Sequence, residues 1–183
     1  MNPERIEAQS RDLNPVKEDS SLRLFQDSVL DAGISKRAIE AQENAEKDLP
    51  SVSRDVAASP DEVWKAIGKF DTLSWHPGIE SGTVATDSNG DMTRTLVAKG
   101  GSPVFVEQLL EQEPNSLKYK MISGLPLQPT ATLRVEPNAT GGSRITWEAQ
   151  VEGADPKAVE AVTSGVLGFY AAGLDQLAEK FKK

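Results

Sequence analysis

The chain has 183 residues, with 20 basic and 28 acidic side chains and a formal charge of -8 at pH 7. That balance argues against a nucleic-acid partner, which needs clustered Lys and Arg, and against an anionic membrane surface. Cysteine is absent and histidine occurs once. This excludes a disulfide framework, a thiolate zinc site, a cysteine nucleophile and a multi-histidine metal centre within one chain.

No apolar run approaches the roughly 18 residues of a membrane span. The polar residues 1–10 lack the apolar core of a secretory signal. A cytoplasmic protein without metal or other cofactor is expected.

The chain divides near Pro50. Phe25 is the one aromatic and Gly33 the one glycine among residues 1–50, so this part has too little apolar surface to fold alone. A partly helical, solvated extension is expected there. Leu22, Phe25 and Val29 fall at i, i+3 and i+7, which gives residues 20–47 a second reading. They could form an arm docked on the main domain or on a protein partner.

From Ser51 the pattern alternates. Residues 52–57 read as a short strand. Ser59-Pro60-Asp61-Glu62 opens a helix, with a serine cap, proline at N1 and acids in the first turn, and Val63, Trp64, Ile67 and Phe70 give it an apolar face. Residues 71–75 suggest a second short helix, ended by Pro77-Gly78. Strands are then expected at 79–86, 93–99, 104–112, 117–122, 130–136 and 144–151, separated by turn signals such as Asn89-Gly90, Pro114-Asn115 and Gly141-Gly142. Asp155-Pro156 opens a long helix reaching Phe181, in which Val162, Val166, Phe169, Tyr170, Leu174 and Leu177 keep close to a 3.6 period. One strand, two short helices, an antiparallel meander and a long final helix give an α+β class: about seven curved strands around the C-terminal helix.

With Ser59-Pro60-Asp61-Glu62-Val63-Trp64, Trp75-His76-Pro77-Gly78-Ile79-Glu80, Arg94, Glu107-Gln108-Leu109-Leu110-Glu111, Tyr119 and Gly142-Ser143-Arg144-Ile145-Thr146-Trp147, this order resembles a known family. It is the polyketide cyclase/dehydratase-like branch of the SRPBCC (START and birch-allergen) superfamily, the helix-grip fold. The resemblance covers residues 51–183. It implies a ligand cavity between the concave sheet and the C-terminal helix, and it names no reaction, because the fold hosts carriers, receptors and cyclases alike.

Strand parity supports the same chamber. In each strand one parity is more apolar and is expected to face inward. That places Arg94, Leu96 and Ala98 inward, with Tyr119 and Met121, Ala131 and Leu133, and Ile145, Trp147 and Ala149. For Phe105, Glu107 and Leu109 the inward direction follows the family, whose Glu-x-Leu glutamate points into the cavity. The expected ligand contacts are Trp75, Arg94, Leu96, Phe105, Glu107, Tyr119, Met121, Leu133, Trp147, Phe169 and Tyr170. Gly165, Gly168 and Gly173 add small positions on the helix. These either keep space for a ligand or let helix and sheet approach closely.

Three functions are open. The first is binding of a small apolar or aromatic molecule. The second is a cyclase or dehydratase in which His76 or Glu107 moves protons and Arg94 or Tyr119 steadies oxyanion charge. The third is partner binding through the N-terminal arm. His76 has an alternative role as a loop or helix-end residue, and Arg94 with Glu107 as a structural ion pair. Gly100-Gly101-Ser102-Pro103 reads as a tight turn where related receptors carry a gate. Gly124-Leu125-Pro126-Leu127 is the other candidate lid.

Overall fold

The computed structural model describes residues 49–182. The expected arm over residues 20–47 lies outside them. Turn chemistry lays the strands side by side. Asn115, at a positive φ of 65°, closes the tight hairpin between β4 (Val104–Glu113) and β5 (Ser116–Ser123). The side chain of Asn138 accepts from the backbone N–H groups of Thr140 and Gly142, shaping the turn between β6 (Thr130–Pro137) and β7 (Ser143–Gln150).

With β1 (Ser51–Val56), β2 (Ile79–Thr86) and β3 (Met92–Ala98), these form one seven-stranded antiparallel sheet of order β1-β7-β6-β5-β4-β3-β2. Register shifts in β2 at Ile79/Ser81, and in the β4–β5 pair at Val106/Glu107 and Leu109/Glu111, mark bulges. Bulges bend strands, so they help to curve this end of the sheet.

Helix α1 (Pro60–Ile67) starts as its sequence dictates. Ser59 and Glu62 form a reciprocal capping box and Pro60 sits in the first turn. Val63 and Ile67 are buried beneath it.

Residues 71–75 do not form the expected second helix; they run through bends and turns. The Asp71 carboxylate accepts from the Leu73 N–H at 3.1 Å, and Leu73 takes a left-handed φ of 51° that buries its side chain. The local side-chain bond competes with helix formation.

Helix α2 (Pro156–Lys180) is capped by Asp155 and runs 25 residues, about 37 Å. It packs against β1 and β7. Its buried stripe joins Ile145, Trp147, Leu133 and Leu117 in the main core. No helix among the described residues is long and apolar enough to cross a membrane.

Candidate functional site

The stripe on α2 does not meet the sheet evenly along its length. Towards the start of the helix the two diverge around a cavity of about 400 Å³. The sheet supplies Leu96, Phe105, Glu107, Tyr119, Met121 and Ala131, and the β5–β6 loop supplies Leu125, Pro126 and Pro129. The helix supplies Ala161, Val162, Gly165, Val166, Phe169 and Tyr170. The β5–β6 loop is held by close approach at both ends. A Cβ on Gly124 would fall 2.4 Å from the Val104 carbonyl oxygen, and one on Gly153 would fall 3.0 Å from a methyl of Leu127.

Among the described residues, polar side chains reach the wall only through Glu107, Tyr119 and Tyr170. Glu107 faces Arg94 across the β3–β4 ladder, and its Oε2 accepts from Arg94 Nε at 2.6 Å. Arg94 itself is off the wall and 1% exposed. Its Nη1 donates to the Asp71 carbonyl at 3.2 Å, and its guanidinium lies between the rings of Phe70 and Tyr119, 4.5 and 4.6 Å from their centroids. Such a sandwich partly compensates for lost hydration. Among the described residues, Arg94 Nη2 is the one buried side-chain polar atom without a hydrogen-bond partner.

Burial pushes the Glu107 carboxyl above its ordinary value, against the opposing pull of Arg94. Tyr119 accepts from Trp147 Nε1–H at 2.9 Å. Burial raises both the Tyr119 and Tyr170 phenols well above their ordinary value, so both stay protonated. Trp147 stacks on Tyr170 at 4.2 Å and 5°, one layer behind the wall.

His76 is 2% exposed and also off the wall. Its Nδ1 accepts from the Gly78 N–H at 2.9 Å. Its Nε2 lies 2.8 Å from the Phe169 carbonyl oxygen, which can only accept, so Nε2 carries the proton. The imidazole stacks on Phe169 at 3.7 Å. Burial lowers its pKa, opposed by the bond to Phe169. Both ring nitrogens are engaged by backbone, and the ring pins the β2 entry loop to the middle of α2.

The expected contacts therefore divide. Leu96, Phe105, Glu107, Tyr119, Met121, Phe169 and Tyr170 line the cavity, whereas Trp75, Arg94, Leu133 and Trp147 lie off its wall. Leu133 and Trp147 are register partners in the main core, and Trp75 packs 5.6 Å from Trp147.

The three small helix positions also divide. Gly165 lines the cavity with open space at its Cβ position, while at Gly173 a Cβ would stand 2.5 Å from His76 Cδ2. Gly168 is exposed and off the wall, which corrects its expected inward direction. Beside Gly165, expected as a small position, the helix adds Ala161, Val162 and Val166, which are not among the expected contacts. Steps of four and eight residues back from Phe169 and Tyr170 would have found them. The Gly100-Gly101-Ser102-Pro103 turn lies off the wall, whereas Leu125 and Pro126 of the other loop are on it.

The family model described as polyketide cyclase/dehydrase and lipid transport matches residues 51–182. A solved structure from Thermobifida fusca is 28% identical and covers 72% of this chain and 91% of its own, with a TM-score of 0.61. A START superfamily protein from Mycobacterium smegmatis is 18% identical over 71% of this chain and 96% of its own, with a TM-score of 0.53. The Zhui aromatase/cyclase from Streptomyces sp. R1128 is 14% identical over 71% and 90%, also with a TM-score of 0.53. At those last two identities the likeness is one of fold. No curated protein matches the chain. A curved seven-stranded sheet gripping a long C-terminal helix around a cavity, with a START-like fold and matched by that family model over residues 51–182, places this chain in the polyketide cyclase/dehydrase and lipid transport family.

Proposed function

We propose that the domain holds a small apolar or aromatic molecule in the cavity between the sheet and α2. The observation that carries this reading is the cavity of about 400 Å³, whose wall is apolar except for Glu107, Tyr119 and Tyr170. Native interiors pack densely, and an unfilled apolar void costs about 24 cal/mol per Å³. A chamber of this size is within the range that ligands occupy, with apolar walls for affinity and few polar groups for orientation. A cytoplasmic setting belongs to the same proposal.

Native mass spectrometry of protein purified from its own host tests the reading. A bound small molecule is expected, and it should be lost in Gly165→Leu, which fills the chamber. Protein that carries nothing and also fails to enhance the fluorescence of the neutral probe N-phenyl-1-naphthylamine would overturn it.

A second reading has its own observation. Glu107 is on the wall with its carboxyl held above its ordinary value by burial, which suits proton transfer in a cyclase or dehydratase. In that case Glu107 takes the proton beside a substrate carbonyl and the Tyr119 O–H steadies the oxygen. His76 is a poor base for it, since Nδ1 already accepts from Gly78 and Nε2 donates to Phe169. Glu107→Gln should lower any turnover roughly 100-fold or more; equal turnover would remove Glu107 from the chemistry.

A further inference from the structure

The wall has one polar corner, and its hydrogen-bonding capacity is nearly all assigned. On Glu107, Oε2 is held by Arg94 Nε, which leaves Oε1 as an acceptor for a ligand. The Tyr119 oxygen accepts from Trp147 Nε1–H, and the Tyr119 and Tyr170 hydroxyls share a hydrogen bond, so one phenolic proton of the pair is left to be donated. One spare acceptor beside one spare donor is the complement of a hydroxyl group, which gives one hydrogen bond and takes another.

Charged groups fit this corner less well. A ligand carboxylate would meet the Glu107 carboxylate with no cation among the described residues of the wall to balance it. The cation behind it, Arg94, has Nε on Glu107 and Nη1 on the Asp71 carbonyl, and its two faces are covered by Phe70 and Tyr119. An ammonium would meet a carboxylate that Arg94 already neutralises, with the guanidinium close behind. Stripping a charge of water costs several kcal/mol, and a shared carboxylate does not offset it. A neutral hydroxyl has no such penalty.

Resting on the binding reading above, we propose that the occupant is an uncharged apolar molecule with one hydroxyl, alcohol or phenol, docked between Glu107 and the Tyr119–Tyr170 pair, and that the cavity rejects the carboxylate and ammonium forms of the same skeleton. A volume of about 400 Å³, at about 30 Å³ per water-sized group, sets its size at roughly a dozen heavy atoms.

The test uses two matched sets of probes on the full chain at neutral pH, followed by isothermal titration calorimetry. One set is 2-naphthylmethanol, 2-naphthoate and 2-naphthylmethylammonium; the other is 1-decanol, decanoate and decylammonium. In whichever skeleton binds, the alcohol is expected to bind at least about tenfold more tightly than either charged form. A carboxylate or ammonium that binds as tightly as its alcohol overturns the hydroxyl assignment and leaves the binding reading standing. Six probes without binding overturn the binding reading itself.

In Glu107→Gln the repulsive charge is gone and Arg94 is released, so the alcohol's advantage over the carboxylate should shrink about tenfold. An unchanged ratio counts against the proposal. If this variant does not fold, the six-probe series on the unaltered chain decides alone.

Discussion

The two halves of α2 use the same helical stripe for opposite ends. From Tyr170 onwards the stripe is closed: Tyr170, Gly173, Leu174 and Leu177 are all buried, and Gly173 lets His76 and Trp147 approach within contact of the helix backbone. Before Tyr170 it is open. Val162 is the one buried residue there, while Ala161, Gly165 and Val166 line space rather than neighbours. One amphipathic helix thus supplies a core at one end and a chamber at the other, and residue size makes the difference. Stability and ligand room need not compete for the same side chains.

The largest expected effect tests the closed half. Leu174→Ala should cost about 2–5 kcal/mol, because Leu174 is 0% exposed and a cavity would remain. Val166→Ala on the cavity wall should cost about 1 kcal/mol or less, the loss of a partly solvated pair of methyl groups. Chemical denaturation of both variants measures the contrast, and equal losses would break it.

The glycines give the next effect. Gly173→Ala should destabilise by about 1–3 kcal/mol through overpacking against His76, despite the better helix propensity of alanine. Gly165→Ala should stabilise by about 0.5–1 kcal/mol, since open space surrounds its Cβ position. Thermal melts that moved in the same direction for both would erase the distinction between packed and open halves.

The smallest effect is pH-dependent. Burial lowers the His76 pKa from its ordinary 6.5, so the unfolded chain binds the proton first. The stability linked to this group is fully present above pH 6.5 and falls as the pH drops below it, by at most about 1.4 kcal/mol per pH unit for one proton. His76→Gln should flatten the stability profile between pH 6.5 and about 5.5. A profile as steep in the variant would show that the imidazole is not held neutral at the junction of the two halves.

Most of the fold was legible because its signals are local. Asn89-Gly90, Asn115 and Gly141-Gly142 mark hairpins, alternating apolar residues mark strand faces, and Asp155-Pro156 opens the long helix. Residues 71–75 misled, since helix-compatible composition does not reveal that Asp71 caps the Leu73 N–H or that Leu73 turns left-handed to reach the core.

The site was legible where it depends on strand parity, as at Leu96, Tyr119 and Met121, and at Glu107 only through the family resemblance. It was not where the deciding partner is remote. The role of His76 turns on a carbonyl 93 residues away. Gly165 and Gly173 look alike in sequence, yet one faces open space and the other an imidazole. Arg94 points inward as its parity suggests, but two aromatic rings and a carboxylate enclose it before it reaches the chamber.

The position of Trp147 has an optical consequence. Its indole N–H ends on the Tyr119 hydroxyl and its face lies on Tyr170 at 4.2 Å, so two wall residues set the field around one chromophore. A molecule that draws on the Tyr119 hydroxyl changes the polarisation of the indole N–H, and one that presses on Tyr170 changes the stacking. Were the cavity filled as proposed, Trp147 emission should respond without contact with the occupant. The indole would then be a spectroscopic gauge one layer behind the wall.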